Sequence, residues 1–459
     1  MRSMQPAAAP SAPAYGERVL TVEPYSIERI PERERHGRPA HLFPLWLGAN
    51  LTIADFALGF LPVGLGLSLG ATVAALVVGN VVGGALLALA SAMGPRTGQP
   101  QMVAGRWAFG RTGGYLPGAL NWISTIGWFT INNILCAFGL QLLWPSVSFP
   151  VAALILASVQ VLLTIFGHNM IHLYERIMSV MLGVLFLITT IIAAGHAGAV
   201  AAWHPLPHAA PLTLFAIVLS AAFSYIASWA PYASDYSRYL PRTTGVGPVV
   251  GWTFLGAVVS SLWLEVLGAV VAILAGAAAS NPIASLHAVM GGFGAVAVVA
   301  VILGGTAADA LNLYSNALSA RSLDIPVSRA VLTVAAGAVG LALSLYGSGH
   351  FSSFYEHFLL LLGYWVTPWL AILFVDFFVV RRAAVPEGAP DAGIRWGAVA
   401  SYALGIALST PFIATPLYTG PLAARWGGAD FSYYVSFLAA GIAYALLRGG
   451  TAGGSTAQR

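Results

Sequence analysis

Long apolar runs alternate with short polar breaks along the chain. Runs long enough to cross a bilayer lie near 43–69, 71–94, 115–143, 149–167, 177–202, 211–234, 247–276, 291–320, 330–346, 354–380, 396–413 and 432–447. About 20 apolar residues in a helix span the hydrocarbon core, so the pattern predicts twelve transmembrane helices in an all-α membrane protein. Pro and Gly mark the connections at Trp144-Pro145, from Pro205 to Pro211, at Asn281-Pro282, from Pro386 to Pro390 and from Pro416 to Pro421. Two runs carry polar residues at helical spacing: Asn121, Thr125, Trp128 and Asn132 in the third, and Thr306, Asp309, Asn312 and Asn316 in the eighth. Steps of three and four place each set on one helical face. Polar groups at membrane depth are expensive and face the bundle interior, where they bind a substrate or an ion. The stripes therefore point to a transporter rather than an anchor.

Composition agrees with the pattern. Hydrophobic residues make up 58% of the chain and charged residues 8%, against about a quarter charged in soluble domains. The one cysteine, Cys136, excludes an internal disulfide and a Cys-rich metal site. Basic residues are all arginine, and their positions set an orientation. With the N-terminus inside, Arg96, Arg106, Arg111, Arg176, Arg238, Arg242, Arg321, Arg329, Arg381, Arg382, Arg395, Arg448 and Arg459 fall in cytoplasmic loops or tails. Only Arg425 falls outside, as the positive-inside rule expects. The chain is thus expected to be a multi-pass protein of the cell inner membrane with both termini cytoplasmic. Segment 1–42 is rich in Arg, Glu and Pro and reads as a disordered or loosely packed cytoplasmic tail, with a regulatory or lipid-contacting role as the alternative. Residues 448–459 form the other tail.

The first and sixth runs hold candidate helix breaks. One is Gly48-Ala49-Asn50-Leu51-Thr52 with Asp55 a turn later; the other is Ser224, Ser228 and Trp229-Ala230-Pro231-Tyr232. These positions correspond if segments 1–5 and 6–10 are inverted repeats, and matched breaks point to a midplane binding site. The ordinary reading is a kink or close packing.

Several segments together resemble the nucleobase–cation symporters of the first type, the purine–cytosine permease and hydantoin transporter family. They are Gly94-Pro95-Arg96-Thr97-Gly98-Gln99-Pro100-Gln101-Met102-Val103 with Arg106-Trp107-Ala108-Phe109-Gly110, then Gly127-Trp128-Phe129, then Pro231 to Pro241, then Asn312-Leu313-Tyr314-Ser315. The likeness covers about 43–447. It implies a leucine-transporter-type core of two inverted five-helix repeats, about 43–202 and 211–380, followed by two further helices over 381–447. It also implies symport of a flat nitrogenous heterocycle with Na⁺ or H⁺ and no cofactor. A cytosine or purine base is the leading substrate, with hydantoin, allantoin or a thiamine-precursor pyrimidine as alternatives. The partners implied are the heterocycle and the lipid bilayer; nothing points to nucleic acid, and oligomeric state is left open.

A planar base needs a ring to stack on and side chains that donate and accept hydrogen bonds. The resemblance makes Trp128 the stacking surface and Asn312 a substrate contact. Asn132 stands where many members carry glutamine. The second wall falls among Phe223, Tyr225 and Trp229, with Trp229 favoured for its place beside Pro231. Asn50 and Thr125 join the candidate contacts. For sodium the family uses carbonyls of the first span and hydroxyls of the eighth. Thr306 keeps one hydroxyl, but Ala307 follows it. Thr52, Asp55 and Asp309 complete the ion or proton candidates, with Glu265 a further one of more structural character. Asp235 and Arg238, at i and i+3, permit a local pair at the inner gate.

Other patterns are set aside. Gly66-Leu67-Ser68-Leu69-Gly70 lacks the strand–turn–helix context of a nucleophile elbow. His168 and His172 with Glu175 are expected in a short loop and read weakly as a metal site. No phosphate-binding Gly-Lys motif supports ATP-driven transport. No constellation supports a membrane-embedded enzyme, and a channel fits poorly with an occluded midplane site.

Overall fold

The computed structural model describes Gly16 and residues 18–276, 281–384, 390, 392–415 and 418–452. Among these residues the only β-structure is one isolated bridge, Ala414 with Thr419; the rest is helix and connection. The helices that matter below are α1 (Leu42–Asn50), α2 (Ile53–Leu58), α3 (Leu69–Ser91), α4 (Gln101–Phe109), α5 (Tyr115–Leu143), α6 (Phe149–Thr164), α7 (His168–Ala194) and α8 (Pro211–Ala227). They continue with α9 (Ala233–Ser237), α10 (Val246–Ala275), α11 (Pro282–Met290), α12 (Gly294–Ser322), α13 (Arg329–Gly347), α14 (Phe351–Phe374), α15 (Trp396–Ser409) and α16 (Ser432–Ala452).

Helix occupies each of the twelve predicted runs. By length and composition seven helices can cross a membrane among the described residues, or eight if one bent pair counts as a span. Phe149–Thr164 and Ser432–Leu447 are apolar but shorter. The bent pair is the first run: Pro39–Asn50 and Ile53–Gly64 meet at 54°. Leu51 leaves the helical region and Thr52 is extended, at φ −119° and ψ 160°. The Thr52 hydroxyl accepts the freed Asp55 N–H at 3.3 Å, so the side chain replaces a lost helical acceptor. The sixth run is interrupted more gently. After α8 a 3-10 turn over Ala230–Tyr232, with Pro231 lacking an N–H, leads into α9.

Glycine sets the closest approaches. A Cβ at Gly79 or Gly83 of α3 would come within 2.7 Å of the carbonyls of Leu219 and Phe223 on α8. A Cβ at Gly59 would overlap the Glu265 carbonyl of α10, and one at Gly268 the Phe56 carbonyl of α2. Lipid offers helices no hydrophobic drive to associate, so small residues that let backbones touch do that work.

Two expectations fail here. Helix α7 begins at His168, well before the predicted 177, directly after Gly167 at φ 84°. His168, His172 and Glu175 therefore lie on a helix and not in a loop. Polar residues at that end misled the hydropathy reading because His168, Asn169 and Glu175 face protein, not lipid. The second failure is the loose tail. Residues 18–41 are tied to the bundle: Ile30 N–H donates to Gly98 O at 2.9 Å, Arg35 Nη1 to Pro95 O at 2.6 Å, and Asn169 Nδ2 to Arg18 O at 3.0 Å. The predicted C-terminal tail and the loop from Pro386 to Pro390 fall mostly outside the described residues.

Candidate substrate site and gate

The two polar stripes face each other along α5 and α12, and they divide into two parts. Toward the arginine-bearing end the side chains satisfy one another. Asn121 Nδ2 donates to Ser319 Oγ at 2.7 Å, Trp122 Nε1 to Asn316 Oδ1 at 3.1 Å, and Asn316 Nδ2 to Thr125 Oγ1 at 2.9 Å. These bonds hold the two helices together, so Thr125 is occupied by Asn316 and not left for a substrate.

One to two turns further along, the chemistry changes. Asn132 Nδ2 donates to Asp309 Oδ1 at 3.2 Å, and Asn312 Nδ2 donates to the same oxygen at 3.3 Å. Asp309 Oδ2 and Asn132 Oδ1 have no partner although both are buried. Asn312 Oδ1 accepts from Tyr232 Oη at 3.3 Å. Both amides turn their NH₂ groups toward this one carboxyl oxygen, which accepts from each. What remains open is a set of acceptors. Buried acceptors without donors are costly, and here they cluster one turn from Trp128.

Trp128 is buried and edge-packed. Tyr225 and Phe358 each lie 5.1 Å from its ring, at 83° and 85°. Its Nε1 donates to Ser228 Oγ at 3.1 Å, which anchors the indole on the end of α8. Of the three aromatics of the sixth run, Tyr225 is the one beside Trp128. Phe223 stacks toward Tyr433 at 6.3 Å, on the opposite face of α8, as a two-residue step on a helix requires. Trp229, the favoured ring, packs at 5.7 Å from Trp46 and 5.2 Å from Tyr232; its Nε1 is buried without a partner. Asn50 turns back onto its own helix, donating to Trp46 O at 2.8 Å.

The ion candidates do not converge on one point. Thr306 Oγ1 donates to Leu303 O at 2.6 Å and pairs with Tyr174 Oη at 2.9 Å. Thr52 Oγ1 meets Tyr225 Oη at 3.2 Å, at the α1–α2 break. Asp55 follows it, and Asp309 belongs with the amides. Among the described residues no three His, Cys, Asp or Glu side chains gather into a metal-binding group; His168 and His172 only pack their rings 4.3 Å apart.

The gate differs from the sequence expectation. Arg238 does not pair with Asp235. Asp235 Oδ1 accepts the Gln101 N–H at 2.8 Å, and Gln101 Oε1 accepts the Ser234 N–H at 3.1 Å, so Asp235 fastens the start of α4 to α9. Arg238 pairs instead with Glu23, at 2.9 Å and fully buried. Glu23 also meets Arg329 Nη1 at 2.7 Å, Tyr239 Oη at 2.5 Å and Tyr314 Oη at 3.0 Å. One N-terminal carboxylate thus ties together the chain after α9, α12 and α13. Burial opposes the Arg238 charge, but Tyr314 and Glu23 outweigh it and hold the guanidinium above its ordinary pKa. A second clamp lies beside it. Asp324, at φ 59°, accepts from Arg111 Nε at 2.8 Å and Arg106 Nη2 at 3.1 Å. The Arg111 hydrogen bond holds the Asp324 carboxyl well below the usual carboxylate range. Nothing in the sequence marked Glu23, because its partners lie far along the chain.

The family profile described as permeases for cytosine/purines, uracil, thiamine and allantoin matches residues 29–436. The chain belongs to this family, the nucleobase–cation symporters of the first type. It is 33% identical over 442 residues to the Bacillus subtilis protein YxlA, assigned by name to the purine-cytosine permeases, covering 93% of this chain and 96% of that one. It is 29% identical over 458 residues to the purine-cytosine permease fcyB of Emericella nidulans, covering 94% and 89%. Among solved structures it is similar to Mhp1, a nucleobase-cation-symport-1 family transporter in a closed conformation with bromovinylhydantoin bound. The TM-score is 0.77 at 21% identity, covering 94% of this chain and 96% of that one. A Na⁺-coupled sialic acid symporter shares the fold at a TM-score of 0.60 and 13% identity, covering 90% of each chain. The protein is a multi-pass membrane transporter of small heterocycles and not an enzyme.

Proposed function

We propose that the protein is a secondary active symporter that imports a nucleobase of the cytosine or purine class with Na⁺ or H⁺ by alternating access. One observation supports this most: Asp309 gathers the amides of Asn132 and Asn312 one turn from the Trp128 ring. A flat base would lie against Trp128, with Tyr225 at its edge. The acceptors left by this arrangement match the two hydrogens of an exocyclic amino group. Cytosine and adenine carry that group; uracil and hypoxanthine place a carbonyl there, which would face acceptors. The alternating-access core would comprise twelve spans, with segments 1–5 and 6–10 as inverted repeats, 381–447 as the added helices and both termini on the cytoplasmic side of the inner membrane. The Glu23–Arg238 cluster would then close the inner gate.

The test is uptake of labelled cytosine into proteoliposomes, with adenine, uracil, hypoxanthine and hydantoin as competitors. Concentrative uptake blocked by cytosine and adenine, and weakly by the oxo bases, supports the reading. Competition by hydantoin alone would move the substrate to that class.

A further inference from the structure

Away from Asp309, two carboxyls meet inside the bundle with no cation between them. Asp55 lies just past the α1–α2 break and Glu265 in the middle of α10; both are fully buried. The glycine contacts at Gly59 and Gly268 press α2 and α10 backbone to backbone. Asp55 lies one turn before Gly59, whose Cβ would overlap the Glu265 carbonyl, and next to Phe56, whose carbonyl meets Gly268; this packing sets its carboxyl beside Ser261 and Glu265. Neither Asp55 oxygen meets a donor as the side chains stand, and Ser261 Oγ is likewise buried without a hydrogen-bond partner. Glu265 accepts from Asn80 Nδ2 on α3 and leaves Oε1 unpartnered.

The surrounding ionisable groups supply no positive charge. The neighbouring phenols are neutral: Tyr225 Oη meets Thr52 Oγ1 at 3.2 Å, and Tyr355 Oη donates to Ala54 O at 2.8 Å. On α12, Asp309 is engaged by the two amides, and on α5 Cys136 points to Ile302 O at 3.6 Å. On α11 the His287 ring lies against Gly294, and on α7 Glu175 lies against Gly48. Among the described residues no Arg or His forms an ion pair with Asp55 or Glu265. Two buried carboxyls facing each other with no cation beside them cannot both be ionised. They share a proton and titrate as a unit.

We propose that Asp55 and Glu265 form the coupling-proton site, holding one proton between them in the closed state. The proton comes from water on the outer side, forms an O–H on one carboxyl donated to the other, and returns to water on the inner side. Once it leaves, two negative charges push α2 away from α10 at the helix break. This rests on the symporter reading and narrows its coupling ion to H⁺, consistent with Ala307 following Thr306 in the sequence.

Infrared difference spectroscopy on the purified protein tests the site without transport. A protonated carboxyl band that persists at neutral pH is expected, and both Asp55→Asn and Glu265→Gln should remove the pair's component of it, leaving that of the buried Glu175 carboxyl. Ser261→Ala should shift the band while keeping it, which guards against a variant that merely misfolds. In proteoliposomes with an internal pH dye, wild type should take up protons as it takes up cytosine. Proton movement per substrate should fall about tenfold in either carboxyl variant. No carboxyl band in wild type, a band of unchanged amplitude in both variants, or wild-type accumulation driven by a Na⁺ gradient without proton entry overturns the proposal. If wild type binds none of the bases in a thermal-shift assay, the symporter reading has failed, and the infrared band still decides the pair.

Discussion

A carboxyl oxygen that accepts from two amides fixes the orientation of each, and in the proposed site that gives Asp309 control over the face offered to a base. Asp309→Asn removes that constraint. The amides of Asn132 and Asn312 then turn freely, and the preference for amino over oxo bases should shrink toward parity in competition assays. Asn312→Ala should weaken cytosine binding by about 1–3 kcal/mol, the cost of an unmet buried polar partner, read by titration on purified protein. Trp128→Ala removes the ring face and should cost roughly 0.5–1.5 kcal/mol beyond lost burial; unchanged affinity would dismiss Trp128 as the stacking residue. These residues were legible in the sequence because a polar residue every three or four positions stands out in an apolar run. Which of them bind and which only join helices was not. Thr125 and Asn132 share a stripe, yet one meets Asn316 and the other Asp309. Likewise Tyr225 and not Trp229 lies beside Trp128, a choice set by how α8 is rotated against α5.

Helices here are joined by backbone contact where glycine allows it, and broken where a side chain can replace the lost hydrogen bond. The break at Leu51-Thr52 was visible from its Gly-Ala-Asn-Leu-Thr run, with Asp55 following. The start of α7 was hidden, because hydropathy cannot tell a loop from a helix end that faces protein. Gly59→Val and Gly268→Val would force the α2–α10 contact apart, and each should lower stability by about 1–3 kcal/mol, measured as a drop in melting temperature in detergent. In the proposed gate the N-terminal segment supplies Glu23, the partner of Arg238 and Arg329. Removing one partner of a buried ion pair strands the other charge and costs about 3–5 kcal/mol. Glu23→Gln should therefore favour the inward-open state. In a Cys136→Ala background, a Ser315→Cys probe under the gate should react faster with a thiol reagent from the inner side than it does with Glu23 intact; an unchanged rate would make Glu23 a packing residue only.

At the scale of the molecule, the apolar runs and the family motifs made the helical transporter fold readable before any coordinates. The docking of residues 18–41 was not readable, since Glu23 acquires meaning only when Arg238, Arg329 and Tyr314 converge on it. The arginine distribution gives the proposed orientation a direct check. Single cysteines replacing Arg111 and Arg425, in the Cys136→Ala background, should label from opposite sides of the membrane, Arg111→Cys from within; labelling from one side would overturn the span count.

The central claim is that the Trp128–Asn132–Asp309–Asn312 face binds an amino-bearing base for ion-driven import. It is tested most directly by gradient-driven uptake of labelled cytosine in proteoliposomes, wild type against Asp309→Asn. Expected are accumulation above equilibrium in wild type, collapse on dissipating the gradient, strong competition by adenine over hypoxanthine, and loss of that discrimination in the variant. Uptake that never exceeds equilibrium, or an Asp309→Asn protein that ranks the bases as wild type does, would contradict it.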